Sequence, residues 1–407
     1  MKENVLRKNW IDAAKAVAMF IVVLNHSELR IPGVNFWGGM FFVPAFFLLS
    51  GYTYHPDNGT YIDYVKKKAK RLIIPYLVAN LFLFLFFLIK RVLTHNLPSD
   101  FVVRSLLGIL YGRNQIFISS DYHSNLMINL NAPTWFLPAL FVALIMLEGF
   151  YRLCKGNEKK VVLIVVVYAL FATGYHYFVP VLLPWCLDIM PFFLLMMLVG
   201  NLLKKIDFFN ENSEKILANT YQDELFQEEI SQKKSQVKLS QDKSFQTKLS
   251  QGRATEHMSK ISPEIRRVVI VLLFIICIVS GLFNGSYNLS LSDTGKSVTL
   301  MCTAAISSSI LLMLIMNLLD KKAEKICSIL AKFGKHTLTI LCYHYFILVM
   351  VMMVLGFLDN YLMNWIMQYP DWVLQMLFAV EKLVAIVVSI AACVMIDGIK
   401  RNIFRNK

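Results

Sequence analysis

Charged side chains are scarce in this chain. Asp, Glu, Lys and Arg together make up 17% of the 407 residues, whereas 57% of the residues are hydrophobic. Soluble domains carry about 25% charged residues. This composition therefore excludes a protein that folds entirely in water and indicates a membrane protein.

The chain also lacks the patterns of secreted, metal-binding and nucleic-acid-binding proteins. Its seven cysteines are scattered and form no C-x-x-C pair, so we predict buried free thiols and neither disulfides nor a metal site. The first apolar run has no small-residue cleavage site, which predicts a retained membrane span rather than a signal peptide. The formal net charge of +14 is not gathered into a basic patch, so we expect no nucleic-acid partner.

Long apolar runs recur along the whole chain. Each run holds about 20 residues, which is enough for a helix to cross a hydrocarbon layer about 30 Å thick. We predict an all-α polytopic membrane bundle of about ten transmembrane helices. The predicted spans lie near 10–29, 35–54, 72–92, 134–153, 160–178, 181–203, 267–286, 298–318, 337–357 and 377–397.

The basic residues predict the orientation of these spans. If the N-terminus is cytosolic, the loops on the same side hold the basic clusters: Lys66 to Arg71, Arg152 to Lys160, Lys204/Lys205, Arg266/Arg267 and Lys321 to Lys325, with the tail from Lys400. The opposite loops hold only isolated basic residues. This asymmetry follows the positive-inside rule and predicts that both termini are cytosolic.

Two segments interrupt the apolar pattern. Residues 206–264 are rich in Ser, Gln and Lys and repeat KLSQ, so we predict a cytosolic insert, disordered or loosely helical, between membrane segments 1–205 (helices 1–6) and 265–407 (helices 7–10). Residues 93–133 form a longer outer loop, for which a lid or acceptor-binding element and a packed interfacial helix both remain open. It contains His95, Arg104, Arg113, Asp121 and His123.

Several ionisable residues lie in the first predicted span, among them Lys15 and His26. Lys15 and His26 are eleven residues apart, so a helix would place them on one face, roughly 16 Å apart along its axis. Asp12 lies one turn before Lys15, in position for a salt bridge. An ionisable group at membrane depth is usually retained for a partner, a cavity or a chemical task. The alternative is that Asp12 and Lys15 reach the interface while His26 makes an interhelical hydrogen bond.

Four further features add chemistry to the predicted bundle. In FFVPAFFLLSGY (41–52), Pro44 and Gly51 permit a bend and a close backbone approach, and Ser50 offers a hydroxyl. The basic run 66–71 is either a cytosolic stop or a binding site for a phosphorylated cofactor. Trp135 opens another span in the sequence WFLP. His344 lies in the ninth predicted span, where structural hydrogen bonding and proton transfer are both open.

Taken in order, these motifs resemble the acyltransferase-3 family of membrane proteins, and within it the fucose 4-O-acetylase-like branch. The matching residues span about 10–345 and are Trp10-Ile-Asp12-x-x-Lys15 with His26, Phe46-Phe47-x-x-Ser50-Gly51-Tyr52, Lys70-Arg71-Leu-Ile-Ile-Pro75-Tyr76, Trp135 to Pro138, and Gly334-Lys-x-Thr337 ahead of Tyr343-His344. The chain departs from the family where Lys15 replaces a frequent Arg and Asn25 a common Gly. The spacings Lys67-x-x-Lys70 and Lys68-x-x-Arg71 stand in place of the usual Arg-x-x-Arg, so that either pair of cations could bind the donor.

The resemblance implies a transferase that moves an acyl group, usually acetyl from acetyl-CoA, to a sugar hydroxyl of a surface glycan or its lipid-linked precursor. A bacterial-type plasma (inner) membrane is the expected location, and no metal is expected. His26 would activate the acceptor hydroxyl or carry the acyl group transiently. Lys15 would stabilise or position the donor. The expected donor-binding residues are Lys67, Lys68, Lys70, Arg71 and Ser50, and the expected supporting residues are Asp12, Trp135 and His344.

Two other classes fit part of the pattern. A carrier or flippase for a glycan or small polar solute would also contain buried ionisable residues. Carriers often show internal repeats, and none is found between residues 1–203 and 264–407. A sensory or scaffold protein would explain the polar insert but not Lys15 and His26. The transferase is therefore the favoured hypothesis.

Overall fold

The computed structural model describes residues 8–113, 115–117, 127–179, 181–209, 263–366 and 370–405. The predicted all-α class is confirmed, because these residues form α-helices, three short 3-10 helices and two isolated β-bridges. Numbered along the chain, the helices are α1 (Asn9–His26), α2 (Val34–Phe41), α3 (Pro44–Tyr52), α4 (Tyr61–Leu93), α5 (Phe101–Tyr111), α6 (Phe136–Leu153), α7 (Glu158–Phe178), α8 (Met190–Lys205), α9 (Pro263–Asn284), α10 (Val298–Lys322), α11 (Glu324–Gly334), α12 (Thr337–Ile366) and α13 (Asp371–Arg405).

Eight of these helices are long and apolar enough to cross a membrane, namely α4, α6, α7, α8, α9, α10, α12 and α13. The bent pair α2 and α3 brings the number in the described part of the chain to nine. The first predicted span, 10–29, forms α1, an 18-residue helix. Helix α1 is not among the eight membrane-crossing helices, because Asp12, Lys15 and its polar C-terminal end lower its mean hydropathy.

Contacts divide the chain into two units. One unit comprises Met1–Asn201 with Leu272–Lys407, and the other comprises Leu202–Val271. Most of the predicted insert, residues 210–262, lies outside the described residues. Five of the seven cysteines are buried, as predicted, whereas Cys154 and Cys302 are partly exposed.

The predicted bend in 41–52 falls at Pro44. The axes of α2 and α3 meet at 47°, and Pro44 occupies the first turn of α3. Proline has no backbone N–H, so it cannot donate to the carbonyl four residues earlier. That carbonyl, on Met40, instead accepts a hydrogen bond from the Tyr287 hydroxyl. A distant loop therefore satisfies the group that the bend leaves unpaired.

The predicted close backbone approach at Gly51 is also confirmed. A Cβ atom on Gly51 would overlap the backbone carbonyl of Met197 in α8. A Cβ atom on Gly200, one turn later in α8, would overlap the carbonyl oxygen of Leu48. The backbones of α3 and α8 therefore lie in contact, and this contact fixes the position of the neighbouring Ser50.

We expect Gly51→Ala to destabilise the protein, because the added methyl group must push α3 away from α8. Overpacking of this kind costs about 1–3 kcal/mol. Thermal unfolding in detergent measures the effect. Gly174→Ala is the matched control, since a Cβ atom on Gly174 in α7 meets nothing within 4 Å. Equal unfolding midpoints for the two variants would contradict the expectation.

Candidate functional site

A cavity of about 500 Å³ lies between α1, α3, α4, α6 and the region where α11, α12 and α13 meet. This volume is in the range of small-molecule sites. We call it the basic cavity, because its polar wall includes Asp12, Lys15, Ser50, Tyr54, His55, Asp57, Lys67, Lys68, Arg71, Lys335, Thr339, Asp397, Lys400 and Arg401. Its apolar wall includes Met19, Phe46, Phe136, Leu137 and Leu140.

The wall contributed by α1 carries the predicted salt bridge. Lys15 Nζ lies 3.3 Å from Asp12 Oδ1. The Asp12 residue is 2% exposed, whereas the Lys15 side chain is 30% exposed. Gly334 at the end of α11 packs directly against the backbone of Asp12, where a Cβ atom would overlap the carbonyl oxygen. The ion pair is therefore held in a tight contact between α1 and α11.

The wall contributed by α4 depends on how this helix begins. The Thr60 hydroxyl oxygen accepts from the backbone N–H of Asp63 at 3.1 Å and donates to the Asp63 carboxylate at 2.6 Å. Such a cap fixes the first turn of a helix. It thereby fixes where α4 begins.

Three of the four basic residues expected from α4 line the basic cavity, and Lys70 does not. A helix turns about 100° per residue, so Lys67, Lys68 and Arg71 fall within an arc of about 100° and Lys70 lies about 60° outside it. Lys70 is exposed on another face. Lys70 therefore lies on a different side of α4 from the other three.

The loop between α3 and α4 is anchored to α6. Lys67 Nζ lies 3.1 Å from Asp57 Oδ2, and Arg152 donates to the backbone carbonyls of Asp57 and Gly59 at 2.8 and 2.9 Å. Arg152 is itself held by Glu148 at 2.7 Å. The backbone N–H of Gly59 and the Lys67 ammonium lower the pKa of Asp57 below its ordinary value. This carboxylate therefore stays ionised and holds Lys67 at the cavity.

A third group of charged residues on the cavity was missed by the sequence analysis. Asp397 of α13 is 8% exposed, and its carboxylate lies 2.6 Å from His336 Nδ1 and 2.6 Å from Arg401. The Thr339 hydroxyl donates to it at 2.8 Å. The signal for this group in the sequence is weak. Lys400 and Arg401 are basic residues next to a predicted span, and the positive-inside rule explains them as orientation signals without any role at a site.

His26 lies apart from the basic cavity. Met19 is the last residue of α1 on the cavity wall, and His26 is seven residues further along the chain, about 10 Å along the helix axis. The His26 ring lies 5.5 Å from the ring of His344 and 5.5 Å from that of Tyr345. Lys15 and His26 therefore occupy two separate places on one helix, as their spacing predicted.

His344 is fully buried and has a defined orientation. Its Nδ1 atom lies 2.7 Å from the Ile340 carbonyl oxygen. Because a carbonyl can only accept, Nδ1 carries the hydrogen and Nε2 is left as an acceptor. Nε2 has no hydrogen-bond partner in the described part of the chain. A buried polar atom without a partner costs about 1–3 kcal/mol, so the two imidazoles mark a second polar position inside the bundle.

Trp135 does not line the basic cavity. It is 8% exposed, and its ring packs against those of Phe136 and Phe193. The cavity wall is formed instead by Phe136. Trp135 therefore supports this wall from behind.

The outer segment 93–133 contains a packed helix, α5. The Arg113 side chain beyond it is fully buried and donates to Asp188 at 2.8 Å and to Ser292 at 3.1 Å. This arrangement favours the packed-helix interpretation for that part of the segment. Asp121 and His123 lie outside the described residues, and the role as a lid stays a prediction.

These features define an integral membrane protein whose helices line a basic cavity and hold a buried imidazole, His344, beside the partly buried imidazole of His26. Residues 8–398 match the family model described as an acyltransferase domain, that of the acyltransferase-3 family, so the chain belongs to this family. The predicted family is confirmed, and the protein is a membrane acyltransferase. No curated protein and no solved structure matches the chain.

Proposed function

We propose that this protein is an O-acetyltransferase of a bacterial plasma membrane, of the fucose 4-O-acetylase-like branch. It moves an acetyl group from acetyl-CoA to a sugar hydroxyl of a surface glycan or its lipid-linked precursor. The observation that carries the proposal is the basic cavity itself, in which Lys15, Lys67, Lys68 and Arg71 meet inside an acyltransferase domain.

The chemistry of the cavity fits the donor. Acetyl-CoA carries several phosphate groups at one end and a thioester at the end of a narrow arm. Lys and Arg bind phosphates through charge-assisted hydrogen bonds, and α4 supplies three such side chains to the wall. The arm would extend past Ser50 and Met19, along α1 toward His26. Acetyl-CoA as the donor therefore accounts for the positive charge of the cavity.

The reaction requires a base near the acceptor. A sugar hydroxyl is a poor nucleophile at neutral pH, and an imidazole is the side chain best suited to take its proton. His26 takes the proton while the hydroxyl oxygen attacks the thioester carbonyl. The carbon–sulfur bond breaks, and the CoA thiolate receives the proton. The products are the sugar ester and free CoA. The unpartnered Nε2 of His344 offers an acceptor that would orient the hydroxyl or His26.

The experiment that tests the proposal is transfer of label from radioactive acetyl-CoA in isolated membranes. We expect the label to appear in glycan or lipid-linked saccharide, and only in membranes that contain the protein. Label found solely in the soluble fraction would contradict the proposal. Glycan translocation without acetylation would identify a carrier instead.

The basic residues of α4 give a prediction about donor binding. We expect Lys68→Gln and Arg71→Gln each to raise KM for acetyl-CoA about tenfold with little change in kcat, because they remove binding that the ground state and the transition state share. Steady-state kinetics measure both constants. Lys70→Gln removes a positive charge from the position before Arg71, which does not line the cavity, and should leave KM unaltered. Equal effects from Lys70 and Lys68 would contradict the assignment of the cavity face.

A further inference from the structure

The cations of the basic cavity come from three parts of its wall, namely α1, α4 and the region where α11, α12 and α13 meet. The wall carries seven Lys and Arg side chains and three Asp side chains. Each carboxylate is paired with a cation: Asp12 with Lys15, Asp57 with Lys67, and Asp397 with Arg401. The four cations without a carboxylate partner in the described part of the chain are Lys68 and Arg71 on α4, Lys335 between α11 and α12, and Lys400 on α13.

The buried carboxylate of Asp397 explains why the end of α13 stays at the cavity. It accepts a hydrogen bond from Thr339 in the first turn of α12 and lies 2.6 Å from Nδ1 of His336, which immediately precedes α12. Arg401, one turn later on α13, pairs with the same carboxylate and donates to the Lys335 carbonyl at 3.1 Å. These contacts tie α13 to the turn that carries Lys335. Because Asp397 is neutralised by Arg401, its charge does not cancel those of Lys335 and Lys400.

We infer that Lys335 and Lys400 form a second phosphate-binding wall, so that the donor's polyanionic end is bound both by α4 and by α13 together with the turn between α11 and α12. This inference rests on the proposed donor, acetyl-CoA. Two unpaired cations on each wall match a ligand with phosphate groups at more than one position, such as the diphosphate and the 3′-phosphate of CoA. Asp397 holds this second wall in place through its contacts with Thr339, His336 and Arg401.

The test is direct binding of CoA, without an acceptor, to the full-length protein in phosphatidylcholine nanodiscs. Titration calorimetry gives Kd for the wild type and for the double variant Lys335→Gln/Lys400→Gln. We expect Kd to rise about tenfold or more, which corresponds to the loss of one or two charge-assisted contacts. The variant Lys335→Arg/Lys400→Arg keeps the charges and should keep most of the affinity. The matched control is Lys325→Gln/Lys332→Gln, which removes two exposed charges from α11 outside the cavity and should change Kd less than about twofold.

The possible results distinguish a failure of the second wall from a failure of the proposed donor. If the wild type does not bind CoA, the donor assignment itself is wrong. If the wild type binds and Lys335→Gln/Lys400→Gln binds equally well, α4 alone holds the phosphates and the second wall is wrong. If Lys335 and Lys400 instead bind the phosphate of a lipid headgroup, the double variant would change the Kd for CoA only in nanodiscs that contain anionic phosphatidylglycerol. That result would also overturn the inference.

Discussion

Replacing His26 by glutamine is expected to lower the rate of acetyl transfer by about 10²- to 10⁴-fold, the usual contribution of a general base. Glutamine keeps much of the size and the hydrogen-bonding capacity of histidine but cannot take a proton. The affinity for CoA should stay unchanged, because His26 does not line the basic cavity. Transfer kinetics and CoA binding, measured on the same purified variant, test both parts.

The same variant separates a base from an acyl carrier. If His26 carries the acetyl group, labelled acetyl-CoA without an acceptor should label the wild-type protein but not His26→Gln. If His26 acts only as a base, neither protein should become labelled. Transfer by the variant at the wild-type rate would contradict both roles and would direct attention to His344, whose ring lies 5.5 Å away.

Features that depend on residues close together in the sequence were predictable. The apolar runs gave the membrane helices, since length and composition decide whether a segment can cross a bilayer. Proline chemistry gave the bend at Pro44, and the spacing of Asp12 and Lys15 gave their ion pair. The position of Lys70 could also have been derived, because helical rotation alone separates it from Lys67, Lys68 and Arg71.

Features that depend on which helices are neighbours were not predictable. His336 and Asp397 are 61 residues apart in the chain and 2.6 Å apart in space. Arg113 and Asp188 are 75 residues apart and form a buried ion pair. Hydropathy and loop charge determine insertion and orientation, but they do not determine helix packing. For the same reason Lys400 and Arg401 were interpreted as topology signals, although the fold brings them to the cavity.

Replacing Lys15 by methionine should abolish most acetyl transfer and also destabilise the protein. The Asp12 carboxylate, 2% exposed, would lose its ion pair with Lys15. Removing one partner of a fully buried pair costs about 3–5 kcal/mol, and the cost here should be smaller because the Lys15 side chain is 30% exposed. Thermal unfolding and acetyl-transfer rate measure the two losses separately. Lys15→Arg keeps the charge beside Asp12 and should retain most of both.

The double variant Asp12→Asn/Lys15→Met distinguishes a functional lysine from a structural one. It removes both charges, so the protein should recover much of the unfolding free energy that Lys15→Met loses. Acetyl transfer should not recover, because Lys15 lines the basic cavity, the proposed donor site, and its positive charge is still missing. A double variant with wild-type activity would show that Lys15 serves only to neutralise Asp12. In that case the donor would be bound by Lys67, Lys68 and Arg71 without a contribution from Lys15.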